Sequence, residues 1–343
     1  MTGVKGKIIL LFAGLCFSLL IAEILLRSFV SQETKRLAMY DKDLGWRGVP
    51  HGEGRYIRSI DGIDEQFRYN GEGFRDEDFP SIDTPGFQVI LLGDSFVESL
   101  EVPYEDLFHE KVEEELKRLV SPLCAVVNIS SQGYSTAQEL LAYRKFRPRL
   151  NPSVVLLAFY EGNDFEDNMR MALASLGRNG EVQFPANEDS WLDTQVQVFQ
   201  RWMYEYSHVV FFAKNAIENL FHQRISQADK EEKRVSAEEK YRMTCSLLRE
   251  MHGEMRRTNV PFGIVLIPSR KGIEMNRTER LEVVASACSD FGIPLLRLDG
   301  ALTPDQYFEV DGHFTAEGHE IVSRHIMEFL QLSFGVGPGG TVH

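Results

Sequence analysis

Four short blocks of the chain carry residue types suited to acyl transfer, and each closes an apolar run. Gly93-Asp94-Ser95 offers a hydroxyl at a turn. Such a hydroxyl becomes a nucleophile only when a base takes its proton. The turn also presents the serine's own backbone N–H to an oxyanion forming beside it. Asp311-Gly312-His313 supplies a candidate base. In an extended segment, positions i and i+2 point to the same side, so carboxylate and imidazole can face one crevice. One ring nitrogen would then face Ser95, while Asp311 or a backbone carbonyl orients the other. Between these blocks lie Asn128-Ile129-Ser130-Ser131-Gln132-Gly133 and Gly162-Asn163-Asp164. Gly133 has no side chain to keep a substrate from its backbone N–H, and Asn163 can aim its side-chain amide at the same oxyanion. Ser95, Gly133 and Asn163 are thus the candidate oxyanion donors, with Ser95, His313 and Asp311 as the candidate catalytic set.

Taken singly, each block has the composition of an ordinary turn, because Gly, Asp, Asn and Ser favour turns on their own account. Their weight comes from their order and from the elements that precede them. From residue 87 the chain alternates between short apolar runs and helical spacing. Strands are expected near 87–92, 125–129, 154–159, 262–267 and 295–298, and helices near 104–119, 136–147, 241–258, 277–289 and 316–332. Runs as apolar as Val154-Val155-Leu156-Leu157-Ala158-Phe159 are covered on both faces, as in parallel sheets. The expected fold is therefore α/β: three layers with a mostly parallel central sheet of flavodoxin-like kind. Ligands of such sheets bind beyond the carboxyl ends of the strands, where all four blocks fall.

Three further segments flank or interrupt this rhythm. Residues 8–26 are apolar apart from Glu23, and 19 residues at a rise of about 1.5 Å span roughly 28 Å, close to the hydrocarbon thickness of a bilayer. Arg27 lies four residues beyond Glu23 and can pair with it. Lys5 and Lys7 precede the run, so the positive-inside rule leaves the N-terminus in the cytoplasm and exports the rest. No A-x-A cleavage pattern follows it, and a bulky Leu15 precedes Cys16, unlike a lipid-attachment site. Residues 1–30 are thus expected to be an uncleaved signal anchor, with a cleaved signal peptide as the alternative. Residues 31–85 are polar with scattered apolar anchors and read as a stem packed on the main domain, which runs over 86–335. Residues 165–240 break the rhythm and read as a helical insertion or lid, and the Gly-rich end, 336–343, as a disordered tail.

The set Ser95, Gly133, Asn163 and His313, in this order and each after a strand, resembles the SGNH (GDSL-type) hydrolase superfamily. The resemblance covers about residues 87–332 apart from the 165–240 insertion. It implies that Ser95 is the nucleophile, that the Ser95 and Gly133 N–H groups and the Asn163 amide form the oxyanion hole, and that Asp311 and His313 complete the triad. Three departures stand out: Phe96 follows Gly-Asp-Ser where Leu is usual, Glu161 opens the third block where Gly is usual, and a single residue separates Asp311 from His313 where two are usual. Membrane-anchored bacterial members look similar around Leu44-Gly45-Trp46-Arg47, around Gly73-Phe74-Arg75, and from Asp311 to His319. His319, six residues after His313, is expected to be structural.

Composition narrows the rest. A formal net charge of −14 and the lack of a clustered Lys/Arg run exclude a nucleic-acid binder. Cys16, Cys124, Cys245 and Cys288 show no CxxC spacing, and no acid/His cluster has ligand spacing along the chain, so neither a cofactor nor a metal is expected. The expected function is a serine esterase acting on short-chain or acetyl esters of a small molecule or polysaccharide, held by one membrane anchor on the extracytoplasmic side. The alternatives are an O-acetyltransferase or O-acetylesterase of an envelope polysaccharide, and a non-catalytic envelope-binding protein. A protein partner is left open.

Overall fold

A computed structural model describes residues 4–29, 37–84, 86–170, 173–184, 207–210, 212–213 and 235–337. The chain divides into two units, one of residues 1–36 and 188–234, the other of 37–187 and 235–343. The first contains helix α1 (Val4–Phe29). Among the described residues α1 is the one helix long and apolar enough to cross a membrane, and its apolar side chains are exposed. Glu23 pairs with Arg27 at 2.7 Å, as their spacing predicts. The Glu23 carboxylate also accepts the Ser207 hydroxyl and the backbone N–H groups of His208 and Val209, at 2.9–3.0 Å.

The second unit begins with two antiparallel hairpins, β1 (Ala38–Asp41) with β2 (Gly45–Gly48) and β3 (Glu53–Arg58) with β4 (Ile63–Arg68). The α/β series follows: β5 (Gln88–Gly93), α2 (Ser95–Glu98), α3 (Phe108–Leu119), β6 (Ala125–Ser130), α4 (Thr136–Phe146), β7 (Val154–Tyr160) and α5 (Asp164–Arg170). A short hairpin, β8 (Ser175–Leu176) and β9 (Val182–Gln183), precedes α6 (Ala237–Arg257), β10 (Phe262–Ile267), α7 (Arg270–Glu274), α8 (Glu279–Phe291), β11 (Leu295–Arg297) and α9 (Ala316–Phe334).

Five of these strands form one sheet in the order β11-β10-β7-β5-β6, with every neighbour pair parallel. Counted along the chain this is the doubly wound order 2-1-3-4-5, whose direction of winding reverses between β5 and β7. The alternation of side chains along each strand divides the core in two. Ile90, Leu92, Val155, Leu157, Ile264 and Leu266 point into one layer, beneath Leu140 of α4, Leu248 of α6 and Val284 of α8. Val89, Leu91, Val154, Leu156, Val265 and Ile267 point into the other, beneath Val112 of α3 and Ile326 of α9. The three-layer parallel architecture expected from the apolar runs is the one observed.

The stem contains regular structure of its own. Its hairpins escape a periodicity search because only one face is apolar and that face is short: in β4, Ile63 and Phe67 are buried while Asp64, Glu65 and Gln66 are not. Leu44 and Phe74, expected as scattered anchors, are fully buried in the layer under α4. Of the expected insertion, α5, the β8–β9 hairpin and the start of α6 are described, and 185–206 and 214–234 lie outside the described residues. Helix α6 starts within the expected insertion through a capping box, Ser236 and Glu239 each satisfying the other's backbone N–H. Of the expected tail, Val336 is buried against the second layer, and 338–343 lie outside the described residues.

Candidate active site

The turn after β5 is tight because Gly93 permits it. A Cβ at Gly93 would stand 2.3 Å from Cγ2 of Val97. The fully buried Asp94 then caps α2, its Oδ1 accepting the Phe96 N–H at 2.9 Å. This leaves Ser95 on the first turn of α2 with a partly exposed side chain. Leu92 pairs with Ile129 of β6 and with Leu157 of β7, so the loops carrying Ser95, Gly133 and Asn163 leave three adjacent strand ends.

The loop before α9 brings the distant end of the chain to the same place. His313 Nε2 lies 2.8 Å from Ser95 Oγ, and His313 Nδ1 lies 2.5 Å from Asp311 Oδ1. Gly312 makes the single-residue spacing work, with φ of 86° in the left-handed region that favours glycine. Of the two orienters the sequence leaves open, the carboxylate is the one engaged. The imidazole also packs on Phe96, with ring centroids 4.8 Å apart.

The stem holds Asp311. Tyr56 donates its hydroxyl to Asp311 Oδ2 at 2.8 Å, and Nη1 of Arg58 lies 3.3 Å from the same oxygen. Asp61 accepts the backbone N–H groups of Val310 and Asp311 at 3.0 and 2.9 Å. Two stem elements also hold the second block. Trp46 Nε1 donates to the Gln132 carbonyl at 3.1 Å, and Tyr69 donates to the buried Glu98, which accepts the Gln132 N–H at 2.7 Å. Gly133 follows with φ of 73°, and its α-carbon faces the edge of the Trp46 ring, 3.7 Å from where a Cβ would stand. The Asn163 amide donates to Asp167 at 2.9 Å and also hydrogen-bonds the Asp94 carboxylate.

Burial and charge set the protonation of this cluster. Burial alone would push the His313 imidazole down, but the carboxylates of Glu101, Asp311 and Asp94 outweigh it and raise its pKa to about 9. Burial also opposes ionisation of Asp311, yet His313, Tyr56 and Arg58 hold its carboxyl below the usual carboxylate range. Burial lifts Asp94 to about 6 and Glu98 to about 7, although each accepts hydrogen bonds that favour its charged form. A serine hydroxyl on an imidazole whose far nitrogen meets a carboxylate is the arrangement that transfers a proton to and from an attacking oxygen.

His319 is fully buried, and its Nδ1 accepts the Phe108 N–H at 3.2 Å, a structural contact between α9 and α3. Among the described residues, two acid/His groups that spacing along the chain did not suggest have ligand-type atoms within 4.8 Å of one another: Asp76, His109 and Glu110, and Glu101, Asp311 and His313. In the first, the Tyr104 hydroxyl bridges the two carboxylates at 3.1 and 2.6 Å. The second is an imidazole with its acids. Sequence reasoning missed Tyr56, Arg58, Asp61, Glu98 and Glu101. Only Trp46, within the Leu44-Gly45-Trp46-Arg47 block, carried a signal.

No family profile and no curated protein matches the chain. Among solved structures, it is similar to the psychrotrophic esterase EstA from Pseudoalteromonas sp., at 11% identity over 71% of this chain and 96% of that one, with a TM-score of 0.42. It is similar to a lipase/acylhydrolase from Enterococcus faecalis, at 15% identity over 71% and 95%, with a TM-score of 0.40. It is also similar to the acetyl xylan esterase AlAXEase, at 12% identity over 71% and 98%, with a TM-score of 0.39.

Proposed function

We propose that this chain is an SGNH-type serine esterase, and the observation that carries the reading is the Ser95–His313–Asp311 relay, with contacts of 2.8 and 2.5 Å. Ser95 Oγ attacks an ester carbonyl as His313 Nε2 takes its proton. The oxyanion is met by the N–H groups of Ser95 and Gly133 and by the Asn163 amide, one of whose hydrogens turns to it from a neighbouring carboxylate. His313 then returns the proton to the leaving alcohol, and water, activated by the same imidazole, releases the acid. Asp311 fixes the ring and stabilises the imidazolium without accepting its proton. The exposed apolar helix α1 is long enough for a membrane anchor or a signal sequence, and either would bring the chain to an ester substrate of the cell envelope. A fluorophosphonate probe tests the chemistry: the reading expects labelling of the folded protein at Ser95, located by peptide mass spectrometry. A folded protein that stays unlabelled would favour a binding role instead.

Two expected results follow from the geometry. General-base action needs the neutral imidazole, which exists above the pKa of His313. Ester kcat/KM is therefore expected to rise with pH to a midpoint near 9. A midpoint at the ordinary histidine value, measured from pH 5 to 10 with nitrophenyl acetate, would refute this. Replacing Tyr56 with Phe removes one hydrogen bond to the ionised Asp311. A bond to a charged group contributes about 1.5 kcal/mol, so kcat/KM is expected to fall roughly tenfold. Unchanged kinetics would mean the stem does not tune the relay.

A further inference from the structure

Glu101 takes no part in the relay as described, yet it faces it. Its side chain is 1% exposed, and besides its own backbone N–H its carboxylate meets, among the described residues, only the His313 ring as a donor. A carboxylate buried with so few donors is costly unless a cation compensates it. Oε1 of Glu101 lies 3.3 Å from Nδ1 of His313, the nitrogen that Asp311 meets at 2.5 Å. One ring nitrogen thus faces two acids from segments far apart in the sequence. The other ionisable groups around this pair are Asp94 at the end of β5, Glu98 of α2, Tyr56 and Arg58 on Asp311, Arg75 from the stem, and His319 of α9. Burial first, and then the neighbouring charges, keeps His319 neutral. Arg75 is buried, and its guanidinium donates to the carbonyls of Glu98 and Val102 rather than to Glu101.

We propose that Glu101 is a second acid for His313, a positioning residue that shares the Nδ1–H with Asp311 and holds the ring when Asp311 cannot. The inference rests on the relay proposed above. The proton stays on Nδ1 throughout, and Glu101 acts through the orientation and charge of the ring. The site then has two carboxylates where one suffices for the chemistry, and the second sets the pH at which the base becomes available. Loss of Asp311 alone leaves Glu101 to accept the Nδ1–H, so the correct tautomer persists.

The decisive measurement is the ring titration of His313 by NMR in the Ser95→Ala background, which needs no turnover. Glu101→Gln is expected to lower the midpoint by about one pH unit, as loss of an opposite charge at this range does. An unchanged midpoint overturns the proposal. Glu101→Asp keeps the charge and is expected to keep the parental midpoint. A fall as large as that of Glu101→Gln would mark a packing effect and would also overturn it. In turnover, Asp311→Asn is expected to lose roughly 10²-fold, and Asp311→Asn with Glu101→Gln roughly 10⁴-fold, the usual loss when the orienting acid is removed. Equal losses count against Glu101. Should the parental protein hydrolyse no ester while Glu101→Gln still shifts the titration, the esterase reading fails and the role of Glu101 on the ring stands.

Discussion

Replacing Ser95 with alanine is expected to lower ester turnover by about 10⁶-fold, the loss typical when a serine nucleophile is removed from an intact triad. That ratio corresponds to about 8 kcal/mol of barrier at about 1.4 kcal/mol per decade. The change removes one oxygen that lies partly exposed at the mouth of the site, while the Asp94 cap on the Phe96 N–H and the buried Phe96 and Val97 remain. Thermal stability is expected to fall by only about 1 kcal/mol, for the lost hydrogen bond between the hydroxyl and His313 Nε2. Turnover of nitrophenyl acetate, labelling by fluorophosphonate and a melting curve on the same preparation separate loss of chemistry from loss of fold. A folded Ser95→Ala protein with parental turnover would eliminate Ser95 as nucleophile.

Replacing His313 with alanine is expected to cost about as much, and the double change with Ser95→Ala to cost no more than either alone, because the two groups act as one unit. Additive losses in a double-mutant cycle would mean that they work separately. This variant also has a stability signature that Ser95→Ala lacks. Burial already holds the Glu101 carboxyl above the usual range, with the charge of Asp311 adding to it and that of His313 opposing it. Without the imidazole that opposition disappears and the folded-state pKa rises further. A carboxyl whose folded pKa lies above its unfolded value contributes stability when protonated and loses it as pH rises. Within the His313→Ala protein, adding Glu101→Gln, which removes that carboxyl, is therefore expected to raise the melting temperature by more at pH 8 than at pH 5. An equal gain at both values would show that the Glu101 carboxyl does not titrate between them.

The sheet was legible because its strands are covered on both faces. A run such as Val154-Val155-Leu156-Leu157-Ala158-Phe159 has no solvent side to dilute the signal. Three of the four blocks were legible because each sits at the carboxyl end of such a strand, whereas Asp311-Gly312-His313 lies in the loop between β11 and α9. The stem hairpins were not, since their outer faces are Arg, Glu and Gln, and their worth lies in contacts the local pattern cannot register. Tyr56 meets Asp311 across more than two hundred residues, and Glu101 meets His313 over a similar separation. The orienter of His313 was open for a related reason. The short Asp-Gly-His spacing suits a carboxylate only if Gly312 takes a positive φ, and the backbone decides that.

The relay joins residue 95 to residues 311 and 313, and the stem clamp joins residues 56, 58 and 61 to the same late loop. Under the proposed relay, a growing chain carries Ser95 and its clamp long before His313 is made, so the hydroxyl has no base until residues 311–313 have emerged and met the stem. A chain terminated before His313 is accordingly expected to lack hydrolytic power, however much of the sheet it has formed.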